Sequence, residues 1–415
     1  MSQSPARASS SAPARPRAAV VGAGPAGLMA AQVLAQTGAR VVVFERIPSP
    51  ARKFLMAGRG GLNLTHSEPF EDFLARYGAQ ASRLRPALEA FTPDDLRAFS
   101  AGLGEETFVG TSGRVFPNSF KASPLLRAWL RRLEAQGVSM RLRCAMRDVE
   151  TGALTVETAQ GARERVACDV VVLALGGASW PRLGADGGWT KALQDKGISI
   201  APFAPANSGA LIGWSQPMLR FEGAPLKNVA LRVGARSLRG ECVIARGGLE
   251  GGAVYALSRD LRETIAADGA ARLRIDLRPD IGEDALARRV QSLLAARAGE
   301  SLSNLLRKAC GLSPAAAALA REAGPIPREP LAIARRVKDA AFDVRAMDGL
   351  ARAISSAGGL AWEETGPDLQ LVRTPGVFVA GEMLDWEAPT GGYLLQACFA
   401  TGAAAGRGAA RYLGL

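Results

Sequence analysis

The stretch VVGAGPAGLMAAQVLAQTGARVVVFE, residues 20–45, decides the fold of this chain. An apolar run meets Gly22-x-Gly24-x-x-Gly27, as a buried parallel strand does where a helix must begin. The first glycine permits a tight turn, the second lets a pyrophosphate approach the backbone, and the third lets helix and strand pack closely. Free N–H groups at the helix start face the anion. The motif therefore predicts a dinucleotide-binding turn.

The residues after this turn support the same interpretation. We expect the helix to end near Gln36, with Gly38 behind it, and residues 41–44 to form a second strand that ends at Glu45. Glu45 lies 18 positions after Gly27, near the roughly 20 expected of a carboxylate that binds a ribose hydroxyl. A plain glycine-rich turn is the alternative, but it explains neither the flanking strands nor the acid. Residues 18–31 are apolar but shorter than the ~20 residues of a membrane span, so we expect no membrane segment.

Length and composition limit the classes of protein. With 415 residues the chain should form two or three domains. A hydrophobic content of 48% and a charged content of 22% are typical of a globular protein. No secretory signal is evident in the first 30 residues, so we expect a cytoplasmic location.

Cysteine and histidine usage excludes several kinds of site. The five cysteines form no C-x-x-C pair, and His66 is the only histidine. A dithiol redox centre, a zinc site and other histidine-based metal sites are therefore not expected, and a Ser-His-Asp triad has little room. Any demanding chemistry must therefore come from elsewhere.

The charge balance leaves two interpretations open. The net charge is +12 and the sequence pI is near 10.1, which indicates either an acidic partner such as RNA or a bias of composition. Eight basic residues and a single acid lie between Arg114 and Arg147, and this basic run is the candidate RNA surface, although a solvated helix face would look the same. The basic residues are Arg114, Lys121, Arg127, Arg131, Arg132, Arg141, Arg143 and Arg147. Residues 1–16 are Ser, Ala, Pro and Arg rich and should be a disordered tail.

Three further segments carry glycines where a cofactor would meet the chain. After Glu45 comes a glycine loop, a strand near residues 168–175 ends in a glycine pair, and a strand near 377–380 runs into glycine and acid before a small-residue helix. The carboxyl ends of parallel strands are where doubly wound folds bind ligands. With Pro25 and Ala26 of the first turn, the candidate cofactor residues are Arg46, Lys53, Gly58, Gly60, Gly61, Asn63, Gly176, Gly177, Gly381, Glu382, Thr390, Gly391, Gly392 and Tyr393. A surface glycine loop remains the alternative for residues 58–61.

The middle of the chain has a different pattern of hydrophobic residues. Residues 226–233 and 272–277 alternate with period two, as half-exposed antiparallel strands do, and helical patterns follow near 283–297, 301–310, 314–323 and 330–341. If both chain ends build one site, this part is an insertion. We therefore predict a tail at 1–16, a discontinuous Rossmann-like α/β domain at 17–195 and 366–415, and an inserted substrate domain at 196–365 with a helical part at about 280–342.

Several motifs together resemble a known family, the HI0933-like flavoproteins of the two-dinucleotide-binding-domain superfamily. The matching segments are VVGAGPAGLMAA, RKFLMAGRGGLNLTH, GRVFPNSFKAS, ALGGASWPRLG and PGVFVAGEMLDWEAPTGGYLLQACFATG. The resemblance implies an FAD-binding domain with a β-barrel-like insertion and a helical bundle. It implies that FAD binds at the first glycine turn and at Glu45. It also implies that Gly381 and Glu382 lie near the ribityl and phosphate end of FAD, and that residues 390–393 lie beside the isoalloxazine.

The chain also departs from the family. The glycine loop of the family commonly reads G-G-G-R-C-N, whereas residues 58–63 read GRGGLN. A proton-donating thiol at that position cannot be carried over to Leu62. Residues 247–252 also depart from the commoner pattern, which suggests a subfamily with a different substrate.

The resemblance and the residues together predict an FAD-dependent oxidoreductase. NAD(P)H would reduce FAD, and the reduced flavin would pass hydride to an unsaturated acceptor; no second GxGxxG motif is present, so we expect NAD(P)H to dock transiently. Weak candidates for the proton donor are His66, Tyr393 and Cys398, although a structural role is the commoner one for such residues. Two alternatives remain: a flavoprotein that reduces a uridine in ribosomal RNA, and a non-enzymatic flavin-bound redox sensor. The oligomeric state is not predicted.

Overall fold

The computed structural model describes residues 15–57 and 60–415. Apart from Arg15 and Pro16, the predicted tail lies outside the described residues, and so do Gly58 and Arg59. Within the two described ranges, no helix combines the length and the apolar character that crossing a membrane requires.

The described residues form nineteen strands and fifteen α-helices. The strands are β1 (Arg17–Val21), β2 (Arg40–Glu45), β3 (Thr65–His66), β4 (Thr107–Val109), β5 (Arg114–Pro117), β6 (Ser139–Leu142), β7 (Cys144–Glu150), β8 (Ala153–Thr158), β9 (Arg163–Ala167), β10 (Val170–Leu173), β11 (Ile200–Ala206), β12 (Ala210–Leu211), β13 (Pro225–Val233), β14 (Arg236–Ala245), β15 (Gly248–Glu250), β16 (Ala271–Asp276), β17 (Ala340–Val344), β18 (Ser355–Leu360) and β19 (Val377–Val379). The helices are α1 (Pro25–Gln36), α2 (Arg52–Ala57), α3 (Phe70–Ala75), α4 (Ala81–Glu89), α5 (Pro93–Gly102), α6 (Ala122–Ala135), α7 (Thr190–Gln194), α8 (Gln216–Leu219), α9 (Gly252–Ala256), α10 (Ser258–Asp268), α11 (Glu283–Ala296), α12 (Leu302–Asn304), α13 (Pro314–Glu322), α14 (Pro330–Lys338) and α15 (Tyr393–Tyr412).

A five-stranded parallel sheet carries the first glycine turn. Its strand order is β19-β10-β1-β2-β6, and Val20 in the central strand lies opposite both Val43 and Val172. The chain winds outward from β1 in one direction through β2 and β6 and in the other through β10 and β19. Such a reversal is the topological switch point of a doubly wound sheet, where ligands bind at the carboxyl ends of the strands. The turn after β1 stands at that point.

Helix α15 returns the end of the chain to α1. At Gly402 an added Cβ would lie 2.8 Å from the Cα of Ala26, and at Gly406 it would lie 2.9 Å from the Cβ of Val33. The two helix backbones can approach this closely only because α15 carries glycine at both positions. The loop that precedes α15, residues 381–392, is thereby placed beside the glycine turn.

Residues between β11 and β18 form a second unit with its own hydrophobic core, which contains buried side chains from Ala210 to Val344. Its antiparallel sheet has the order β12-β15-β14-β13-β16-β17, and a single bridge joins Ala210 in β12 to Met347, beyond β17. The chain leaves and re-enters the first unit through the antiparallel pair β11–β18. The β-barrel-like form, the helical bundle and the domain boundaries stay predictions.

One predicted helix is longer than the observed helix. The pattern at 330–341 predicted helix throughout, but α14 ends at Lys338 and Ala340 begins β17, where it lies opposite Ile275. The side chains of β17 alternate between buried and more exposed positions, so period two governs this segment. The predicted helix at 301–310 is also irregular, because α12 continues as a π-helical turn over Leu305–Ala309.

The close contact of α15 with α1 can be tested with one methyl group. We expect Gly402→Ala to lower the free energy of unfolding by about 1–3 kcal/mol, since the new methyl group meets the backbone of Ala26. Chemical denaturation of the purified protein measures this change. Gly252→Ala is the matched control, because a Cβ at this position in α9 meets nothing within 4 Å. Equal stability of the two variants would contradict the packing described here.

Candidate functional site

The first glycine turn borders a cleft at the carboxyl ends of the central strands, which we call the glycine-turn cleft. Its volume is about 250 Å³. Seven of the predicted cofactor residues line it: Gly22, Gly24, Pro25, Glu45, Arg46, Lys53 and Gly176. The sheet therefore brings together residues from three separate segments of the chain.

The three glycines of the turn differ in what surrounds them. Gly22 has a φ of +102°, and an added Cβ would lie 2.9 Å from the carbonyl carbon of Ala174. At Gly27 an added Cβ would lie 3.1 Å from the carbonyl carbon of Gly22, whereas at Gly24 it would meet nothing within 4 Å. Gly22 and Gly27 are thus needed for packing, and Gly24 leaves open space at the start of α1. A pyrophosphate fits such a bare backbone surface.

Glu45 is oriented by the backbone around it. One carboxylate oxygen accepts a hydrogen bond of 2.9 Å from the N–H of Ala23, and the other accepts one of 3.1 Å from Ile47. An ionised carboxylate has further lone pairs, so Glu45 can still accept hydroxyl donors. Its neighbour Arg46 pairs with Asp186 at 2.8 Å across the cleft. Burial raises the pKa of Asp186, but hydrogen bonds from the backbone of Gly188 and from Arg46 outweigh it and hold this pKa below its usual value.

Lys53 and Glu382 form an ion pair that joins the two ends of the chain. The Lys53 ammonium lies 2.6 Å from Glu382 Oε2 and donates to Ser179 Oγ at 2.8 Å. The other carboxylate oxygen accepts from the backbone N–H of Ser356 at 3.1 Å. Since the Glu382 side chain is only 7% exposed, its carboxylate is bound by these protein groups and has little contact with water.

Two further predicted glycines pack against this ion pair and the first turn. A Cβ at Gly177 would lie 3.2 Å from the Glu382 carboxyl carbon, and one at Gly381 would lie 2.8 Å from the Cβ of Ala26. Gly177, Ala26 and Gly381 therefore lie together, although none lines the glycine-turn cleft. They are packing positions around it.

A larger pocket lies between the first unit and the inserted unit, and we call it the large pocket. Its volume is about 730 Å³, and the predicted residues Thr390, Gly391, Tyr393 and His66 line it. The inserted unit supplies residues from β14, α9 and α10. Gly392 is held against the backbone of Thr65, since a Cβ there would lie 2.6 Å from its Cα.

The loop before α15 is fastened from the inserted unit. Arg262 pairs with Glu387 at 2.6 Å and also donates to the carbonyl of Pro205. Asn207 donates to the carbonyl of Ala388 at 2.8 Å. These contacts connect the position of residues 387–391 to the second unit.

Tyr393 belongs to a charged network in one wall of the large pocket. Its hydroxyl donates to Glu68 at 2.5 Å, and Arg76 donates to both oxygens of the same carboxylate. Burial raises the pKa of Glu68, but the hydrogen bonds from Arg76 and Tyr393 outweigh it, so the pKa is lowered. Burial, and then the Glu68 carboxylate, raise the pKa of Tyr393. The network therefore holds an ionised acid beside a neutral phenol.

The three weak candidates for the proton donor lie in different surroundings. His66 stacks on Tyr393 with 5.5 Å between ring centroids, and both line the large pocket. Nδ1 of His66 accepts from the N–H of Glu68, and Nε2 lies 3.0 Å from the carbonyl of Ser112. Cys398 does not line this pocket, and burial raises its pKa to about 12. The structure thus brings two of the three candidates to the pocket.

The glycine loop contains polar atoms without protein partners. Among the described residues, Asn63 Oδ1 and Thr65 Oγ1 are buried and make no hydrogen bond. Buried polar atoms normally have partners, so residues 63–65 suit a ligand with polar edges. Gly61 packs on Phe120, Gly60 is exposed, and Leu62 is fully buried. Asn63 and Thr65 thus offer polar atoms to a ligand, while Leu62 cannot act as an acid.

The basic run from Arg114 to Arg147 does not form one uncompensated face. Arg141 pairs with Glu164 and Arg147 with Glu157 on the β7–β9 sheet. Arg132 donates to the carbonyl of Gly102. Part of the predicted RNA surface is therefore neutralised within the protein.

Some residues around the two cavities were missed from the sequence. Residues 144–147 of β7 and Trp189 line the glycine-turn cleft, and Ser356 holds Glu382 from the inserted segment. Glu68 and Arg76 hold Tyr393. Ser179 could have been found from the sequence, because it lies inside the ALGGASW motif. Ser356, Glu68 and Arg76 lie in no recognisable motif, so the sequence does not mark them as site residues.

Comparison with known proteins agrees with this arrangement. The model of the HI0933-like protein Rossmann domain matches residues 16–408. The chain belongs to the HI0933-like family. This confirms the predicted family and its Rossmann-like α/β FAD-binding fold.

Two curated proteins are similar to this HI0933-like chain over almost its whole length. The 3-dehydro-bile acid delta(4,6)-reductase of Clostridium scindens is 27% identical over 412 residues, which are 95% of this chain and 99% of that protein. The ribosomal RNA dihydrouridine synthase of Escherichia coli is 25% identical over 404 residues, which are 91% of this chain and 94% of that protein.

Solved structures show the same fold. A flavocytochrome c3 fumarate reductase aligns with a TM-score of 0.53 and 14% identity, covering 96% of this chain and 79% of its own. The 3-ketosteroid delta1-dehydrogenase of Sterolibacterium denitrificans aligns with a TM-score of 0.52 and 13% identity, covering 95% and 99%. At these identities the likeness concerns the fold.

The Glu68 network predicts a pH-dependent contribution to stability. Glu68→Gln should lower the free energy of unfolding by about 1–2 kcal/mol at pH 7, because a charged hydrogen-bond acceptor is lost. The folded-state pKa of Glu68 is lowered, so its contribution is present above the ordinary carboxyl pKa and is lost as the pH falls through the folded value. Urea denaturation of both proteins at pH 7 and below pH 4 measures this.

The control for this prediction is Glu71→Gln. Glu71 pairs with Arg85, but its side chain is 71% exposed, so its removal should change stability less. A Glu68→Gln effect that persists unchanged at low pH would show that packing, and not charge, supports the network.

Proposed function

We propose that the protein is an FAD-dependent oxidoreductase that takes electrons from NAD(P)H and passes hydride to an unsaturated acceptor. The main support for this proposal is that one helix pair, α1 and α15, holds the glycine-turn cleft and the loop of Thr390–Tyr393 together. Bound FAD supplies the hydride chemistry, since its isoalloxazine exchanges hydride with a nicotinamide and with an electron-poor double bond.

The residues of the chain would hold the cofactor from both ends. The open backbone at Gly24 and the N-terminus of α1 would take the pyrophosphate, and Glu45 would take ribose hydroxyls. The unpartnered Asn63 Oδ1 and Thr65 Oγ1 suit the polar edge of the ring system. Lys53 and Glu382, as one neutralised pair, would border the cofactor between these ends.

We also propose that the two units have different functions. Residues 17–195 and 366–415 would bind the cofactor, and residues 196–365 would cover the large pocket and recognise the acceptor. The separate hydrophobic core of the inserted unit supports this division. His66 and Tyr393 are the proposed sites of proton transfer, because they line the pocket.

The colour and the reduction of the protein test this proposal. The purified protein should show the absorbance bands of bound flavin or acquire them with added FAD, and anaerobic NADH or NADPH should bleach them. Gly24→Ala should fold normally but bind FAD at least about tenfold more weakly, since its methyl group occupies the space of the pyrophosphate. Gly252→Ala serves as the control.

Two outcomes would contradict the proposal. A protein that stays colourless with excess FAD is not a flavoprotein. A flavoprotein that NADH and NADPH reduce once, without steady turnover in the presence of any electron acceptor, fits the alternative of a redox sensor.

An RNA substrate is the second candidate. It is favoured by the resemblance to the ribosomal RNA dihydrouridine synthase and by the net charge of +12. The ion pairs that Arg141 and Arg147 form within the protein argue against a broad positively charged surface for RNA.

Salt dependence separates this candidate from a small acceptor. If phosphates are bound, affinity for a ribosomal RNA fragment should fall steeply, by about tenfold or more, between 50 and 200 mM salt. Filter binding measures it. Affinity that does not change with salt would exclude recognition through the basic run.

A further inference from the structure

The walls of the large pocket combine polar and apolar groups and are rich in arginine. Four arginines line it, Arg76, Arg114, Arg236 and Arg259, against the two carboxylates of Asp72 and Glu387. Its aliphatic lining consists of one leucine, one proline and three alanines. A wholly apolar acceptor would cover any guanidinium group that has no partner in the protein, which is unfavourable.

Three of the four arginines are already paired with carboxylates. Arg76 binds Glu68 at 2.5 Å, Arg236 binds Asp260 at 2.9 Å, and Arg259 binds Glu263 at 2.7 Å. Their charges are compensated within the protein. They can shape the pocket, but they are not its free cations.

Arg114 differs from the other three. Within the described ranges its guanidinium has neither an ion pair nor a hydrogen bond, although it lines the same pocket. Asp72, the unpaired acid of the lining, forms no ion pair with it. Arg114 is therefore the pocket cation that is available to a ligand.

The backbone of Arg114 is fixed beside the proposed site of chemistry. Arg114 in β5 lies directly opposite His66 in β3. The preceding residue, Gly113, has a φ of +77° and packs on the His66 ring, where an added Cβ would lie 2.6 Å from Cε1. His66 in turn stacks on Tyr393. Any group bound by Arg114 is thus held close to the residues that line the end of the cofactor site.

We propose that Arg114 binds an anionic group of the acceptor, so that the natural substrate is a small unsaturated carboxylate. The inference rests on the proposed function and names the substrate class of the same pocket. A cavity of about 730 Å³ has the size of small-molecule sites, and the planar fork of an arginine matches a carboxylate in a bidentate manner.

Binding of benzoate and benzamide to the purified full-length protein tests the proposal. The two probes have the same shape and differ in charge. Calorimetry at low ionic strength should show benzoate binding about 10- to 100-fold more tightly, which is the range of a charge-assisted hydrogen bond. Arg114→Gln should abolish the preference, and Arg114→Lys should keep part of it, because lysine retains the charge but not the fork.

Arg127→Gln is the matched control. Arg127 is an exposed arginine of the same basic run, on α6 and outside the pocket, so its loss should leave the benzoate preference unchanged. Equal affinities for the two probes, no binding of benzoate, or a preference that survives in Arg114→Gln would each overturn the proposal.

The test separates this inference from the proposed function. Binding measured by calorimetry needs no turnover. If NADPH reduces the protein but benzoate and benzamide bind equally well, only the role of Arg114 is overturned. A colourless protein that prefers benzoate through Arg114 keeps the anion site and overturns the flavin chemistry.

Discussion

The close approach of α15 to α1 is the contact on which the rest of this structure depends. Gly402 and Gly406 remove the side chains that would keep the two backbones apart. Because α15 follows directly on the loop of residues 381–392, fixing the helix also fixes that loop beside the glycine turn. Two segments more than 300 positions apart in the sequence, at Lys53 and Glu382, can then form a short ion pair. The site is therefore a product of helix packing before it is a product of polar contacts.

The inserted unit completes what the helix pair begins. It leaves and returns through β11 and β18, and it fastens the loop before α15 through Arg262 and Asn207. Glu382 receives a backbone hydrogen bond from Ser356 in β18 itself. A movement of the inserted unit would consequently disturb both the large pocket and the carboxylate of Glu382. Under the proposed function, acceptor binding and cofactor binding would share these contacts.

The sequence predicted the parts of the site that depend on backbone shape. Gly22, Gly24 and Gly27 have a characteristic spacing and stand where a strand pattern changes to a helix pattern. Both features can be recognised in a single sequence. The partners of buried charges have no such signal, which is why Ser356, Glu68 and Arg76 were not found. The helix predicted to 341 gave way to β17 for a related reason: Ala340 is strand only because Ile275 of β16 lies beside it. Tertiary pairing decides such segments, and local propensity does not.

The hydrogen bonds around Tyr393 and His66 limit how a proton can reach an acceptor. The phenol directs its proton to Glu68, and Nδ1 of His66 accepts from the backbone, which leaves the proton on Nε2 beside the carbonyl of Ser112. Both protons are therefore already donated to protein atoms, and Leu62 offers none. Under the proposed function, the acceptor would then receive its proton either from water admitted to the pocket or after one of these two hydrogen bonds rearranges. Because Arg114 lies opposite His66, an anion bound there would lie beside these hydrogen-bonded side chains, and the charge of the substrate and the supply of its proton would meet at the same turn.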